Sequence, residues 1–467
     1  ESSKEQKNIL LLISDDHGLE QSGCYGDTVI QTPNIDQLAA DGIRMTNAYA
    51  VAASCSASRG AILSGLYPHQ SGQYGHNHNW HHFSYFDSIQ SVPAILKQNN
   101  YLTACIGKLH VGPKKLLPFD YRVTEPEVME GRDVYNMAKK AGEFFNMDKS
   151  KPFFLLMGYS DPHRMPQGWS DMPGIENWDG FGNHLDYPGI EPVKYNPDDM
   201  PVPDFLQNSQ AVKEELAEMY QSITRMDKGI GMVIDALKKS GRYENTLIVY
   251  ISDNGIAFPG AKTNIYDSGI KMPMIVSYAG MKNAGKTTDA MISFTDLLPA
   301  FAEWAGAQLP EYKLPGKSFL SAMQEQNPEG WDKVMLSHTF HEITMYYPMR
   351  GLRNKKYKYI QNLFPELEYP FATDLYICKT WQDILKNKRT KMGQRNVSDY
   401  LKRPAEELYD IVNDPAESVN LAKDPAYQEL LAEMREQLNK MRSETKDPWI
   451  ILDNYTENTA FLNELEK

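Results

Sequence analysis

Cysteine is scarce in this sequence: there are four, at positions 24, 55, 105 and 378, widely spaced and with no Cys-x-x-Cys pair. That argues against a disulfide framework and against a thiolate zinc site, and leaves small buried filler as the ordinary reading for three of them. Long apolar runs are also missing. The longest, residues 9–13 and 247–251, have the length of buried strands, so no transmembrane segment is expected. Nor is there an excess of basic residues. The net charge of −13 argues against a nucleic-acid partner and against gripping a long polyanion by overall field. An anionic substrate would need a local cationic pocket instead.

What is present is the composition of a globular protein, 41% apolar and 23% charged, with length enough for two or three domains. Residues 8–14 are an apolar run ending in Asp15-Asp16, read as a buried parallel strand that delivers two carboxylates. Residues 33–41 read as a helix with proline near its start and Gly42 after its end. Further helices are expected at 92–99, 212–240 and 297–305. Strands are expected at 103–107, at 152–160 before Asp161-Pro162-His163, at 246–252 before Asp253-Asn254, and at 274–277. The alternation implies an α/β fold, a large mixed, mostly parallel β-sheet sandwiched by helices.

Asp15, Asp16, Lys108, His110, His163, Asp253 and Asn254 all fall just past strand ends, the edge at which open α/β sheets bind ligands. From about residue 330 the pattern changes. Residues 333–338 and 349–361 read as antiparallel strands and 426–444 as a closing helix. This gives a smaller C-terminal α+β domain containing an antiparallel sheet, with the chain divided as 1–345 and 346–467. Residues 165–210, rich in Pro, Gly, Asp and Trp, read as an irregular insertion that walls the site.

Asp15, Asp16, Asp253 and Asn254 offer hard oxygen ligands suited to calcium or magnesium. Each alone could cap a helix or make a turn, but four at matched strand ends favour a metal. Gly107-Lys108-Leu109-His110 and Asp161-Pro162-His163-Arg164 place bases at the same edge, which favours a catalytic over a merely solvated histidine. Lys262 and Lys271 both lie in the stretch 261–273, and the residues alone do not choose between them. His69, His76, His78, His81 and His82 fall within fourteen positions and suggest zinc. They lack an acidic partner set and an H-E-x-x-H frame, so no zinc is expected.

Cys55-Ser56-Ala57-Ser58-Arg59, running on to Leu63-Ser64-Gly65, resembles the signature of the sulfatase family. Segments 13–18, 32–41, 55–65, 106–112, 252–255 and 266–273 match sulfatase blocks in order. Residues 68–72, 79–83, 161–164, 252–259, 341–350 and 444–449 resemble the N-sulfoglucosamine sulfohydrolase (sulfamidase) branch. The family pattern Lys-x-x-x-Tyr-(acidic)-x-Gly assigns Lys262 to sulfate binding and Lys271 to a structural position. Two departures imply a bacterial member: Lys262 stands where the lysosomal enzyme carries arginine, and the cysteines of that enzyme's disulfides are missing.

The resemblance implies an alkaline-phosphatase-like fold and oxidation of Cys55 to formylglycine by a formylglycine-generating or anaerobic sulfatase-maturating enzyme. It also implies one Ca2+ per chain on Asp15, Asp16, Asp253, Asn254 and residue 55. A hydroxyl of the aldehyde hydrate, steadied by Arg59 and Lys108, would attack sulfur to give a covalent sulfo-enzyme. His163, beside Lys262, would protonate the leaving group, and His110 would deprotonate the second hydroxyl to expel sulfate. His81 or His82, Arg164, His341 and Glu342 are the expected contacts to a sulfated saccharide, with the other histidines of the cluster structural. An interface role for His341 and Glu342 competes with that one.

The expected activity is hydrolysis of the N-sulfate of glucosamine at a glycan end. An exo-acting carbohydrate O-sulfatase, a phosphonate or phosphate monoester hydrolase, and an unmodified glycan-binding protein are the rivals. A homodimer, exported to a bacterial periplasm or cell surface, is the expected setting.

Overall fold

Two β-sheets organise the chain in the computed structural model, which describes residues 7–165 and 180–451. The larger contains β1 (Asn8–Ser14), β2 (Ile43–Tyr49), β3 (Leu102–Gly107), β4 (Tyr121–Val123), β5 (Phe153–Gly158), β6 (Thr246–Ser252), β7 (Lys271–Ser277) and β8 (Lys286–Ser293). Their order is β4-β3-β5-β1-β6-β7-β2-β8. β7 runs antiparallel to both neighbours and the remaining pairs are parallel.

The uninterrupted apolar run of β1 follows from its place near the centre of the sheet, covered on both faces. Strand alternation splits it between two helical layers. Ile9, Leu11 and Ile13 pack with Ile62, Val92, Ile95 and Leu297, from the helices Cys55–Ser64, Val92–Gln98 and Leu297–Ala305. Leu10 and Leu12 pack with Ile35, Met137 and Leu216, from the helices Pro33–Asp41, Val134–Phe145 and Gln210–Lys239. The expected sandwich is therefore present.

The smaller sheet contains β9 (Lys333–Phe340), β10 (Tyr346–Asn354), β11 (Tyr357–Asn362) and, after the two-residue strands β12 (Lys391–Met392) and β13 (Arg395–Asn396), β14 (Glu406–Asp410). It is antiparallel in the order β14-β11-β10-β9, and its first strand lies ahead of residue 346. The single strand read at 349–361 is a hairpin. Asn354 Oδ1 accepts from the backbone N–H of Lys356 and Tyr357, at 2.9 and 2.7 Å, and turns the chain between two basic-aromatic stretches of the same character. The helix Gln428–Glu444 covers this sheet through Leu431, Met434 and Leu438. That cluster also takes in Ala57 and Ala61, so the two sheets share core. Within the expected insertion, residues 166–179 lie outside the described residues.

β2, β8 and the helix Cys55–Ser64 are absent from the sequence reading. β2 (IRMTNAY) and β8 (KTTDAMIS) mix polar and apolar residues without a clean run. The helix is made of small residues whose interior position carries no 3.6-residue apolar period.

Candidate active site

Small side chains decide where residue 55 sits. Ser54 is extended, the helix begins at Cys55, and Gly65, left-handed at φ 68°, closes it by donating to Ala61 O. Ser56, Ala57, Ser58, Gly60 and Ala61 let all ten residues be buried, so the helix runs through the interior and points its positive end at the strand termini. Burial pushes the Cys55 thiol up to about 12, even with Lys108 nearby. As a plain cysteine it would be a protonated, inert thiol.

The carboxylates arrive from β1 and β6. Asp15 N donates to Asp161 O and Asp253 N to Ser14 O, both at 3.1 Å, which locks the ends of β1, β5 and β6 together. Asp16 takes a left-handed φ of 64°, and its N–H donates to Asp253 Oδ1 at 3.1 Å. Oxygens of Asp15, Asp16 and Asp253 lie within 4.8 Å of one another, and all three residues are buried. Burial, reinforced by Asp15, pushes Asp16 up to about 6 and Asp253 to about 7, while Lys108 holds Asp15 low despite its burial. Asp15 Oδ1 and Asn254 Oδ1 are buried without a partner. Mutually repelling carboxylates and two orphaned oxygens are a donor set that fits a hard divalent cation.

Three fixed cations surround them. Arg59 Nε donates to Asp253 Oδ2 at 2.7 Å and Arg59 Nη1 to Lys108 O at 3.0 Å. Lys108 Nζ pairs with Asp15. Lys262 Nζ lies between Asp16 Oδ2 and Asp374 Oδ2, 2.9 Å from each. The four carboxylates of Asp15, Asp16, Asp253 and Asp374 outnumber the three cations, and a divalent ion would turn that deficit into a surplus of one positive charge.

The histidines complete the ring. His163 Nε2 lies 3.9 Å from Asp16 Oδ2, and Nδ1 donates to Arg164 O at 2.5 Å. Burial, with Lys262 and Lys108 adding, drives His163 down to about 3. His110 Nε2 pairs with His78 Nδ1, leaving His110 Nδ1 buried and unpartnered. His76 Nδ1 is 4.0 Å from Cys55 Sγ, and its ring lies 4.8 Å from His110 and 4.1 Å from His341. His341 Nδ1 meets Ser54 Oγ at 2.8 Å, just ahead of the helix.

A family model described as "Sulfatase" matches residues 7–307, and one described as "N-sulphoglucosamine sulphohydrolase, C-terminal" matches residues 261–376. The chain belongs to the sulfatase family. Human N-sulphoglucosamine sulphohydrolase is 37% identical to this sulfatase over 466 residues, covering 95% of the present chain and 91% of the human one. An ulvan-active sulfatase of Formosa agariphila is 30% identical, covering 91% and 78%. Among solved structures, BT4656 in complex with its substrate D-glucosamine-2-N,6-O-disulfate superimposes with a TM-score of 0.68 at 21% identity, covering 95% and 98%. The 2-O GAG sulfatase BT1596 does so with a TM-score of 0.66 at 22% identity, covering 97% and 94%.

The residues singled out in the sequence do not all meet. The structure brings Asp15, Asp16, Cys55, Arg59, Lys108, His110, His163, Asp253, Asn254 and Lys262 together in this sulfatase. Arg164 is not among them. Its guanidinium is buried on Glu215 at 2.6 Å, between the rings of Phe181 and Phe258, with Nε donating to Ala257 O. His81 Nδ1 accepts from Ile343 N at 3.0 Å, and His82 is exposed. Glu342 accepts from Thr373 N and Oγ1 at 3.1 and 3.2 Å. His69 joins Ser337 and Thr445, the structural part read for it.

Sequence reasoning missed His76, His78 and Asp374. The first two fall inside the histidine cluster, whose spacing carries no ligand frame and reads as structural. Asp374 lies on the four-residue helix Thr373–Tyr376, with no strand or motif beside it to mark it.

Proposed function

We propose that this sulfatase removes the N-sulfate of a glucosamine residue at a glycan end, with residue 55 converted to formylglycine and Ca2+ held by Asp15, Asp16, Asp253 and Asn254. The similarity to human N-sulphoglucosamine sulphohydrolase, sustained over 95% of the chain, carries the substrate assignment. The inert thiol and the orphaned oxygens support the two groups. The ion, when bound, supplies Lewis acidity toward a sulfate oxygen. The aldehyde, when hydrated, supplies one hydroxyl to attack sulfur and a second through which sulfate is expelled.

The chain's own residues do the rest. Arg59 and Lys108 fix positive charge beside residue 55, and Lys262, held between Asp16 and Asp374, would supply a further cation to the sulfate. Burial is the main reason His163 is neutral, and a sulfate monoanion offsets the part that Lys262 and Lys108 add, which raises the affinity of Nε2 for the proton it delivers to the leaving nitrogen. His110 stays neutral through burial, and its unpartnered Nδ1 is free to accept a proton. A formylglycine-generating or anaerobic maturating enzyme, acting before or during export, supplies the conversion of Cys55.

The test is sulfate release from N-sulfoglucosamine and from glucosamine 6-O-sulfate, using protein whose conversion at position 55 is verified by peptide mass. Release from the N-sulfate is expected. Release from the 6-O-sulfate alone would replace this reading with an O-sulfatase.

A further inference from the structure

Asp374 has no part in that scheme, yet it stands in the site. Its helix comes from the C-terminal region, and Glu342 fixes the start of that helix through the two hydrogen bonds from Thr373. Oδ2 of Asp374 accepts from Lys262 Nζ at 2.9 Å. Oδ1 is buried and has no partner. An oxygen of Asp374, an oxygen of Asp16 and a ring nitrogen of His163 all lie within 4.8 Å of one another. With His163 as the acid of the reading above, the leaving atom of the substrate would fall in that corner, beside His163 and Lys262.

A buried carboxylate oxygen without a donor is unfavourable, and none of the described residues supplies one to Asp374 Oδ1, which leaves water or the substrate as the donor. The two bridging atoms a sulfatase can meet differ in this respect. A sulfamate nitrogen carries one hydrogen. An ester oxygen carries none and presents only lone pairs.

We propose that Asp374 selects nitrogen over oxygen at the scissile bond: its Oδ1 accepts the N–H of the sulfamate. The inference rests on the N-sulfate reading above. As the S–N bond breaks, its electron pair stays on nitrogen and the His163 proton completes the amine. Asp374 takes no proton, and its hydrogen bond strengthens as the proton from His163 reaches the nitrogen and makes the N–H more positive. An ester oxygen at the same point sets lone pairs against a carboxylate, which disfavours it.

Asp374→Asn tests this. Lys262 needs an acceptor, so the amide oxygen turns toward it and the amide NH2 toward the bridging atom, where it opposes a sulfamate N–H and suits an ester oxygen. We expect kcat/KM on N-sulfoglucosamine to fall about 100-fold. The expected fall on 4-nitrophenyl sulfate is less than about tenfold, so that the ratio shifts toward the ester. The ratio cancels protein amount and extent of conversion at position 55.

Inhibition by glucosamine, relative to glucose, should weaken in Asp374→Asn and in Asp374→Ser, which reports the same contact without turnover. Equal losses on both substrates with unchanged glucosamine inhibition would make Asp374 only a support for Lys262 and overturn the inference. A wild-type enzyme inactive on N-sulfoglucosamine would instead overturn the N-sulfate reading itself, and this inference with it.

Discussion

Asp253 joins more of the site than its neighbours do. Its Oδ1 accepts from Asp16 N and Asn254 N, its Oδ2 from Arg59 Nε, and its carbonyl from Ser58 Oγ. Asp253→Asn keeps the shape and removes the charge, so Ca2+ affinity is expected to fall at least about 100-fold. The measurement is calcium add-back to chelator-stripped protein, with sulfate release as the readout. Full activity without added calcium would refute the metal assignment.

Arg164 offers the opposite case. Arg164→Met strands Glu215 in the interior, and a loss of about 3–5 kcal/mol is expected in denaturant unfolding. KM per folded, converted enzyme should hardly move, whereas a sugar-binding arginine would raise it. Asp15, Asp16, Asp253, Lys108, His110 and His163 were legible because each follows an apolar strand, and strand ends share an edge. Arg164 was not. Adjacency to His163 gives no direction, and its partner Glu215 lies on a helix far along the chain.

Where β3 and β5 end, two glycines allow the backbones to cross closely enough to place Lys108. A Cβ on Gly158 would lie 1.9 Å from Lys108 O, and one on Gly107, at φ 83°, 2.2 Å from Gly158 O. Lys108 N donates to Gly158 O at 2.7 Å across that contact. Gly158→Ala must therefore part the strand ends. We expect a lowered melting temperature and a fall in sulfate release of at least tenfold, since small misplacements of a charge at the reacting centre are costly. A fully active, equally stable variant would mean that Lys108 is placed by other contacts.

Strands such as 8–14 and 246–252 could be read to the residue because their apolar runs are unbroken. The helix Cys55–Ser64 could not, although its sequence is the most diagnostic in the chain. Small residues chosen for depth leave no amphipathic trace.

Across the whole molecule, the C-terminal region is tied to the site as well as to its own sheet. His76 N donates to His341 O at 2.8 Å, and Ser337 N to Val51 O at 2.8 Å. Asp447 receives Arg350 Nε at 2.7 Å and Arg442 Nε at 3.0 Å, all three buried. Although burial alone would raise Asp447, hydrogen bonding and charge from Arg350 hold it well below the ordinary carboxylate range. A depressed folded value stabilises the native state above the unfolded value of about 4, and that contribution is lost as pH falls through the folded value. Asp447→Asn should cost about 3–5 kcal/mol at neutral pH. Its difference from wild type should shrink in melting curves only below about pH 4.

The central claim is that residue 55, once converted, turns this ring of carboxylates, cations and histidines into an N-sulfate hydrolase. It is tested most directly by preparing samples that span a range of conversion. The aldehyde fraction of the peptide containing residue 55 is plotted against the rate of sulfate release from N-sulfoglucosamine. The account predicts a straight line through the origin. Release by protein that retains the thiol throughout, or none from fully converted, calcium-loaded protein, would contradict it.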